Sequence, residues 1–201
     1  MEAHAGPTPM HLRRDALLKP LVRRWPGQRL PNAWDGFELA VRAILGQQVS
    51  VAAARTLAAR IADNHGARFD EGETIGLRAL FPTPETLADA PLEKIGVMRA
   101  RADAIRTLAR AVADGRVHFR PEQTLAAFEE SLVALPGIGP WTAHYVAMRA
   151  LGQPDAFPAA DLILRRAAGQ GETLGTRVVE AMSEAWRPWR AYAVMLLWRS
   201  Y

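Results

Sequence analysis

A glycine-bearing turn at residues 135–143 (Leu-Pro-Gly-Ile-Gly-Pro-Trp-Thr-Ala) carries the residue types that can bind an anion. Gly137 and Gly139 permit positive φ angles and a close approach to the backbone. Pro140 suits the first position of a helix, where no N–H is required. The free amides and positive dipole end of that helix favour a negative group, so the turn predicts a backbone site for a phosphate.

Asp161 is the carboxylate that follows this turn, twenty residues after Trp141. A carboxylate can stabilise positive charge that develops on a sugar carbon, or it can activate a water molecule. Aspartate is also a favoured N-cap, and the apolar Leu162 and Leu164 directly after Asp161 predict a short helix. Spacing alone leaves the catalytic and the capping role open.

Two helices must flank the turn in order to position these groups. Apolar residues at three- and four-residue steps precede it, and Trp141, Tyr145 and Met148 repeat the spacing after it. A turn this short folds the two helices back on each other, which predicts a helical hairpin over residues 124–151. Aromatic side chains at helical spacing most often pack in a core, so Trp141 and Tyr145 have that alternative role.

The rest of the chain predicts further helices, and no segment shows the alternation of a half-buried strand. We therefore predict an all-α fold, with a tail at residues 1–9, a domain at 10–201 and a loop at 66–80. Ser50, Thr83 and Asp161 are predicted N-caps, and Gly66 is predicted to close a helix in the C′ position. The remaining predicted helices cover 11–25 with a bend at Pro20, 37–45 before Gly46, a short one from Pro91, 104–112 before Gly115, 176–186 and 188–199.

The composition of the chain excludes some classes of metal site and favours contacts with phosphate groups. The 201 residues contain no cysteine, so they cannot supply thiolates for an iron–sulfur cluster or zinc site. Only Lys19 and Lys94 are lysines among the 25 basic residues, and the net charge is +4. This surplus of arginine suits phosphate contacts, although a GC-rich genome would produce it as well.

No apolar run approaches the roughly 20 residues of a membrane span, and no signal-peptide pattern is present, so we expect a cytoplasmic protein without membrane contact.

Several segments, in order along the chain, resemble one known family. They are residues 43–50 (Ala-Ile-Leu-Gly-Gln-Gln-Val-Ser), 81–84 (Phe-Pro-Thr-Pro), the turn with Asp161, and 186–190 (Trp-Arg-Pro-Trp-Arg). Together they resemble the helix-hairpin-helix (HhH-GPD) DNA glycosylase superfamily, and within it the AlkA-type 3-methyladenine-DNA glycosylase II. The resemblance runs from about residue 30 to the C-terminus. It implies two helical lobes with a cleft between them, one at about 35–115 and one from 10–34 plus 116–201. About thirty N-terminal residues cannot build the extra α/β subdomain of the AlkA type, so we expect a trimmed version.

The resemblance also implies roles for individual residues. Asp161 takes the catalytic position, and Trp141, Tyr145 and Trp198 take aromatic base-pocket positions, with Leu162 where the family has a tyrosine. Gln48 takes the position of the wedge that fills the gap left by a flipped base, while Gln47 holds the turn. The other predicted contacts are the amides of Gly137 and Gly139 and the nearby Thr142 for DNA, and the carbonyls of Val133, Leu135 and Ile138 for Na⁺ or K⁺. His144 is predicted to be either structural or a DNA contact.

The function implied is base-excision repair of double-stranded DNA by a monomer. Bifunctional members place a lysine at the position of Trp141, where it forms a Schiff base, so tryptophan there implies a monofunctional enzyme without strand cleavage. The implied substrates are alkylated purines of the 3-methyladenine type, flipped into the pocket and released to leave an abasic site. Two alternatives stay open: a non-catalytic hairpin module that binds DNA, and a related glycosylase for uracil or a mispaired base.

Overall fold

The computed structural model describes residues 11–69 and 79–201, and the predicted tail at 1–9 and the centre of the 66–80 loop lie outside these ranges. Within them the chain forms helices and no strand; Arg68 and Ala79 make an isolated antiparallel bridge. The all-α prediction is confirmed. No helix in the described ranges is long and apolar enough to cross a membrane.

The helices are α1 (Leu18–Arg24), α2 (Gly36–Leu45), α3 (Val51–His65), α4 (Pro84–Leu87), a 3₁₀ helix (Leu92–Ile95), α5 (Arg99–Ala113), α6 (Leu125–Val133), α7 (Pro140–Ala150), α8 (Leu162–Ala168), α9 (Thr176–Ser183) continued by a 3₁₀ turn (Glu184–Trp186), and α10 (Arg190–Ser200).

Side-chain capping explains where several helices begin. Ser50, Thr83, Thr124 and Asp161 each accept a hydrogen bond from the backbone N–H three residues ahead. These contacts satisfy N–H groups that have no partner within the helix. The caps predicted at Ser50, Thr83 and Asp161 are therefore confirmed.

The first helix is shorter than predicted: it covers Leu18–Arg24 rather than 11–25. Asp15 Oδ1 accepts the N–H groups of Leu17 and Leu18, both at 2.9 Å, and so organises the turn before α1. Pro20 consequently falls in the first turn, where its missing N–H costs no hydrogen bond. Proline therefore limits how far upstream the helix extends instead of bending its middle.

The structure gives a different reason for a glycine at position 66. This residue closes α3, as predicted, but with φ −77° and ψ 155°, which is extended backbone and not the left-handed conformation typical of a glycine in the C′ position. A Cβ at this position would lie 2.0 Å from the carbonyl oxygen of Leu80. Glycine is needed here because another segment passes close to it, so the requirement is for space and not for positive φ.

The helices pack around α2 and α7. α2 packs against α3, α5 and α7, α6 pairs with α7 as the predicted hairpin, and α10 packs against α1 and α8. Fully buried side chains in these layers include Ile44, Leu108 and Leu132. α10 begins at Arg190, two residues later than predicted, and the loop after α7 is tied to it because Ala191 N–H donates to the carbonyl of Pro154. This packing brings the end of α2, the start of α7 and the start of α8 close together.

Candidate active site

Asp161 lies at the start of α8 with its carboxylate held by three donors. Oδ1 accepts from the Leu164 N–H at 2.8 Å and from Trp198 Nε1 at 3.0 Å. Oδ2 accepts from Trp141 Nε1 at 3.2 Å. An ionised carboxylate has about four lone-pair positions, so capping the helix leaves acceptor capacity at the partly exposed side chain. The capping role is therefore present in the structure, and it is compatible with a catalytic role.

The three predicted pocket aromatics form a row beside this carboxylate. Trp141 and Tyr145 stack with ring centroids 5.5 Å apart and an interplanar angle of 13°. Tyr145 and Trp198 are tilted at 46° with centroids 6.2 Å apart. All three side chains are partly exposed and not sealed in the core. Flat, accessible and electron-rich ring faces next to a carboxylate can bind a planar cationic group.

An apolar cleft of about 370 Å³ borders the row where α2 and α3 face α7. Its volume is within the range of small-molecule sites, ~300–1,000 Å³. Leu162, next to Asp161, is 47% exposed and does not line it. The lining residues are Leu39, Arg42, Ala43, Gly46, Val49, Val51, Ala54, Arg55, Trp141 and Tyr145.

The two glycines of the hairpin differ in what they do. Gly137 has φ +85°, and a Cβ there would lie 2.7 Å from the Ala104 methyl group. Gly139 is the N-cap of α7 with φ −98°, and a Cβ there would meet nothing within 4 Å. Of the two glycines, only Gly137 uses the positive φ that both permit. Gly139 instead leaves open space beside the N–H groups of the first turn of α7, where an anion can approach.

Thr142 and Gln47 contact each other, and this affects the DNA contact predicted for Thr142. Thr142 is 2% exposed, and its Oγ1 accepts a hydrogen bond from Gln47 Nε2 at 3.1 Å. A direct contact of this hydroxyl with DNA does not fit that geometry, because burial removes it from the surface. Gln47 Nε2 also donates to the Gly137 carbonyl at 3.2 Å, so the structure uses Gln47 to hold the turn. Gln48, the predicted wedge, is exposed with φ +54°.

Two of the backbone carbonyls predicted to bind a monovalent cation lie at the end of α6 and just after it. Val133 is the last residue of α6, so its carbonyl lacks a partner within the helix. The Leu135 carbonyl accepts the Ile138 N–H at 3.1 Å and keeps a second lone pair. Both carbonyl oxygens therefore have a lone pair that could take part in the predicted site for Na⁺ or K⁺. Elsewhere in residues 11–69 and 79–201, no group of three or more His, Cys, Asp or Glu side chains could hold a metal ion.

His144 is built into the interior. Its Nδ1 accepts the Phe157 N–H at 3.0 Å, and its Nε2 lies 3.3 Å from Glu129 Oε2. Burial lowers the pKa of the imidazole, since desolvation disfavours the charged form. Of the two roles predicted for His144, these contacts favour the structural one.

Two groups near the site were absent from the sequence-based prediction. Arg101 Nη2 donates to the Gln47 carbonyl at 2.5 Å. Arg42 lines the cleft, and its guanidinium pairs with Glu38 and lies over the Phe81 ring. The Glu38–Arg42 spacing of four residues was a visible signal for a helical ion pair. Nothing local indicated Arg101, which lies 54 residues from Gln47.

Most of the chain is similar to known DNA repair proteins. The model of the family described as "HhH-GPD superfamily base excision DNA repair protein" matches residues 41–191. The chain is 42% identical over 193 residues to the "Probable bifunctional transcriptional activator/DNA repair enzyme AlkA" of Mycobacterium tuberculosis, covering 92% of this chain and 37% of that protein. It is 39% identical over 176 residues to "DNA-3-methyladenine glycosylase 2" of Escherichia coli, covering 86% of this chain and 60% of that protein.

The fold has matches among solved structures. The 3-methyladenine DNA glycosylase of Archaeoglobus fulgidus superposes with a TM-score of 0.75 and 28% identity, over 94% of this chain and 66% of that one. The chain thus spans between about one third and two thirds of the length of these relatives. Because the family match covers most of the chain, including α3 to α9 and the site residues Asp161 and Trp141, this protein belongs to the HhH-GPD superfamily of base excision DNA repair proteins.

Proposed function

We propose that this protein is a monofunctional DNA glycosylase that releases alkylated purines of the 3-methyladenine type from double-stranded DNA. The observation that carries the proposal is the Asp161 carboxylate, held by two indole N–H groups beside three accessible aromatic rings. The relatives in Escherichia coli and Archaeoglobus fulgidus are named for 3-methyladenine, which supports this substrate class. All the groups that this mechanism uses belong to one copy of the chain, so we propose that the protein acts on duplex DNA as a monomer.

The hairpin binds the DNA backbone in this mechanism. Amides at the start of α7 receive a phosphate next to the open space at Gly139, and the positive dipole end of the helix adds to the attraction. A monovalent cation on the carbonyls of Val133, Leu135 and Ile138 would add positive charge near that phosphate. The Gln48 side chain enters the stack and occupies the space of the departed base.

The aromatic row receives the flipped base. An alkylated purine is electron-poor and often cationic, so it gains more than a normal base from stacking on Trp141 and Tyr145. The apolar cleft beside these rings excludes water from the base, which strengthens the electrostatic interactions within the site.

Asp161 acts on the sugar. As the N-glycosidic bond breaks, positive charge develops on the sugar, and a nearby carboxylate stabilises it or activates the attacking water. The indole N–H groups of Trp141 and Trp198 fix the orientation of the carboxylate. A strand-cleaving lyase step needs an amine nucleophile, and the hairpin offers Trp141 instead. Lys19 lies on α1 and Lys94 on the 3₁₀ helix, and neither lines the cleft. The products are the free base and an abasic site in an uncut strand.

The test uses a duplex that contains one 3-methyladenine-type or hypoxanthine lesion. Free base is measured directly, and strand breaks are scored with and without alkali. We expect wild type to release the base and to give breaks only after alkali. Asp161→Asn should lower the rate at least ~100-fold, the scale of losing one preorganised electrostatic group. Asp89→Asn, which changes an exposed carboxylate near the end of α4, is the control and should match wild type.

Other outcomes separate the alternatives. Breaks without alkali would overturn the monofunctional assignment. If wild type binds the duplex and releases no alkylated purine, uracil and mispaired bases are tested next. Continued absence of base release would favour a DNA-binding module without catalysis.

A further inference from the structure

The connection between α2 and α3, here called the wedge loop (residues 46–50), holds an unusual backbone conformation. Gln48 at its centre has φ +54°, in the left-handed region, and its side chain is exposed. A residue with a bulky side chain rarely adopts this conformation, which persists where surrounding contacts enforce it. The contacts that enforce it should therefore be visible at the neighbouring residue.

Gln47 makes those contacts in two directions. Its side-chain amide donates to the Gly137 carbonyl at 3.2 Å and to Thr142 Oγ1 at 3.1 Å. Both acceptors belong to the hairpin region, 90 and 95 residues away along the chain. Thr142 is 2% exposed, so one end of this connection is fixed in the interior. Gln47 thus joins the wedge loop to the segment proposed to bind a phosphate.

Arg101 on α5 holds the backbone of the same residue. Its Nη2 donates to the Gln47 carbonyl at 2.5 Å, a short, charge-assisted bond. Its Nη1 lies 3.7 Å from Met98 Sδ, so the guanidinium has a second partner close by. The Gln47 carbonyl belongs to the peptide plane that also contains the Gln48 nitrogen. With that plane held and φ of Gln48 at +54°, the direction in which the Gln48 side chain leaves the loop is set.

We propose that Gln47 and Arg101 are positioning residues that hold Gln48 ready to enter the DNA stack and tie it to the phosphate-binding hairpin. The inference rests on the proposed function, because it takes Gln48 as the wedge. Because the wedge loop is already ordered, DNA binding loses less free energy in ordering it. More of the binding energy is then available to unstack the base. Loss of either residue should impair base flipping and should leave the bond-breaking step unchanged.

The first measurement needs no catalysis. A duplex with a tetrahydrofuran abasic analogue opposite 2-aminopurine reports unstacking by fluorescence when the wedge enters. Gln47→Glu has the same shape but lacks the N–H donors, and Arg101→Ala lacks the donor to the Gln47 carbonyl. We expect both to reduce fluorescence-detected binding about tenfold, the scale of one or two lost hydrogen bonds. Arg101→Lys retains a cationic donor and should recover most of the signal. Arg110→Ala, on the same helix and paired with exposed Asp89, is the matched control.

The second measurement separates positioning from a general structural role. Single-turnover base release is compared for a lesion in a normal pair and for the same lesion in an unpaired bulge, where unstacking costs less. We expect Gln47→Glu and Arg101→Ala to be slow on the paired lesion and close to wild type on the bulged one. Equal losses on both substrates, or fluorescence equal to wild type in both variants, would overturn the inference. If wild type releases no base but the fluorescence pattern holds, the positioning role stands and the glycosylase assignment falls.

Discussion

The carboxylate of Asp161 depends on two indole donors that can be removed one at a time. Trp198→Phe keeps an aromatic ring and deletes the N–H that lies 3.0 Å from Oδ1. We expect single-turnover base release to fall about 10- to 100-fold, since a hydrogen bond to a charged group contributes ~1.5–3 kcal/mol. Duplex affinity should change little, because the lost contact is within the protein.

Trp34→Phe is the control for this change, since the Trp34 ring is fully exposed at the surface before α2. An increase in rate for Trp198→Phe would contradict the orienting role. It would indicate that the indole withdraws electron density from the carboxylate instead of aligning it.

His144 links stability to pH. Burial lowers the pKa of its imidazole below the ordinary 6.5, so the folded protein binds fewer protons at this site than the unfolded chain. The free energy of unfolding should therefore decrease as the pH falls through about 6.5 toward the lower pKa of the folded state. His144→Asn keeps an acceptor for the Phe157 N–H and does not titrate. Denaturant unfolding of both proteins between pH 5 and pH 8 (about the range in which histidine titrates) should give a smaller pH dependence for the variant. Equal slopes would exclude His144 as the source.

Within the hairpin, the two glycines provide a matched pair of substitutions. Gly137→Ala puts a side chain on a residue with φ +85° and 2.7 Å from the Ala104 methyl, so it should destabilise the fold by at least about 1–2 kcal/mol. Gly139→Ala meets nothing within 4 Å and has ordinary φ, so the free energy of unfolding should stay within about 0.5 kcal/mol of wild type. Its methyl group nevertheless occupies the space proposed for a phosphate. We expect duplex affinity to fall about tenfold, ~1.4 kcal/mol.

Thermal unfolding and a duplex titration on the same samples check this pair. Unchanged affinity for Gly139→Ala would place the phosphate elsewhere, and a fully stable Gly137→Ala would contradict the steric argument.

These helices also show which features a sequence can predict. Caps at Ser50, Thr83 and Asp161 were predictable because their partners lie three residues away, within one helical turn. The need for glycine at position 66 was not predictable, because it depends on the position of the Leu80 carbonyl, which lies in another segment. The bonds from Gln47 to the hairpin and from Arg101 to Gln47 depend likewise on how distant helices dock. At the candidate site, resemblance supplied the residues, whereas the indole bonds to Asp161 required the structure.

Across the whole molecule, the site depends on joining the two ends of the described chain. α10 carries Trp198, and it packs against α1 near the beginning. Asp15 connects these regions: its Oδ2 accepts from Trp186 Nε1 at 2.9 Å, 171 residues away, while Oδ1 caps the turn before α1. Asp155, in the loop between α7 and α8, holds the start of α10 from another side by pairing with Arg187 and with Arg190, whose Nε lies 2.9 Å from its Oδ1.

Asp15→Ala would remove three hydrogen bonds and leave the indole N–H of Trp186, a residue 1% exposed, without its acceptor. We expect the free energy of unfolding to fall by about 3 kcal/mol, because an unsatisfied buried donor adds its desolvation cost to the lost bonds. Well below the unfolding temperature, the folded fraction should keep the single-turnover rate of wild type, since Asp15 contacts neither Asp161 nor the aromatic row. Asp114→Ala, which removes an exposed ion pair with Arg116, is the control and should change stability by less than about 1 kcal/mol. A slower rate in Asp15→Ala at full folding would mean that the junction of α1 and α10 adjusts Trp198 directly, making the distant ends of the chain part of the catalytic geometry.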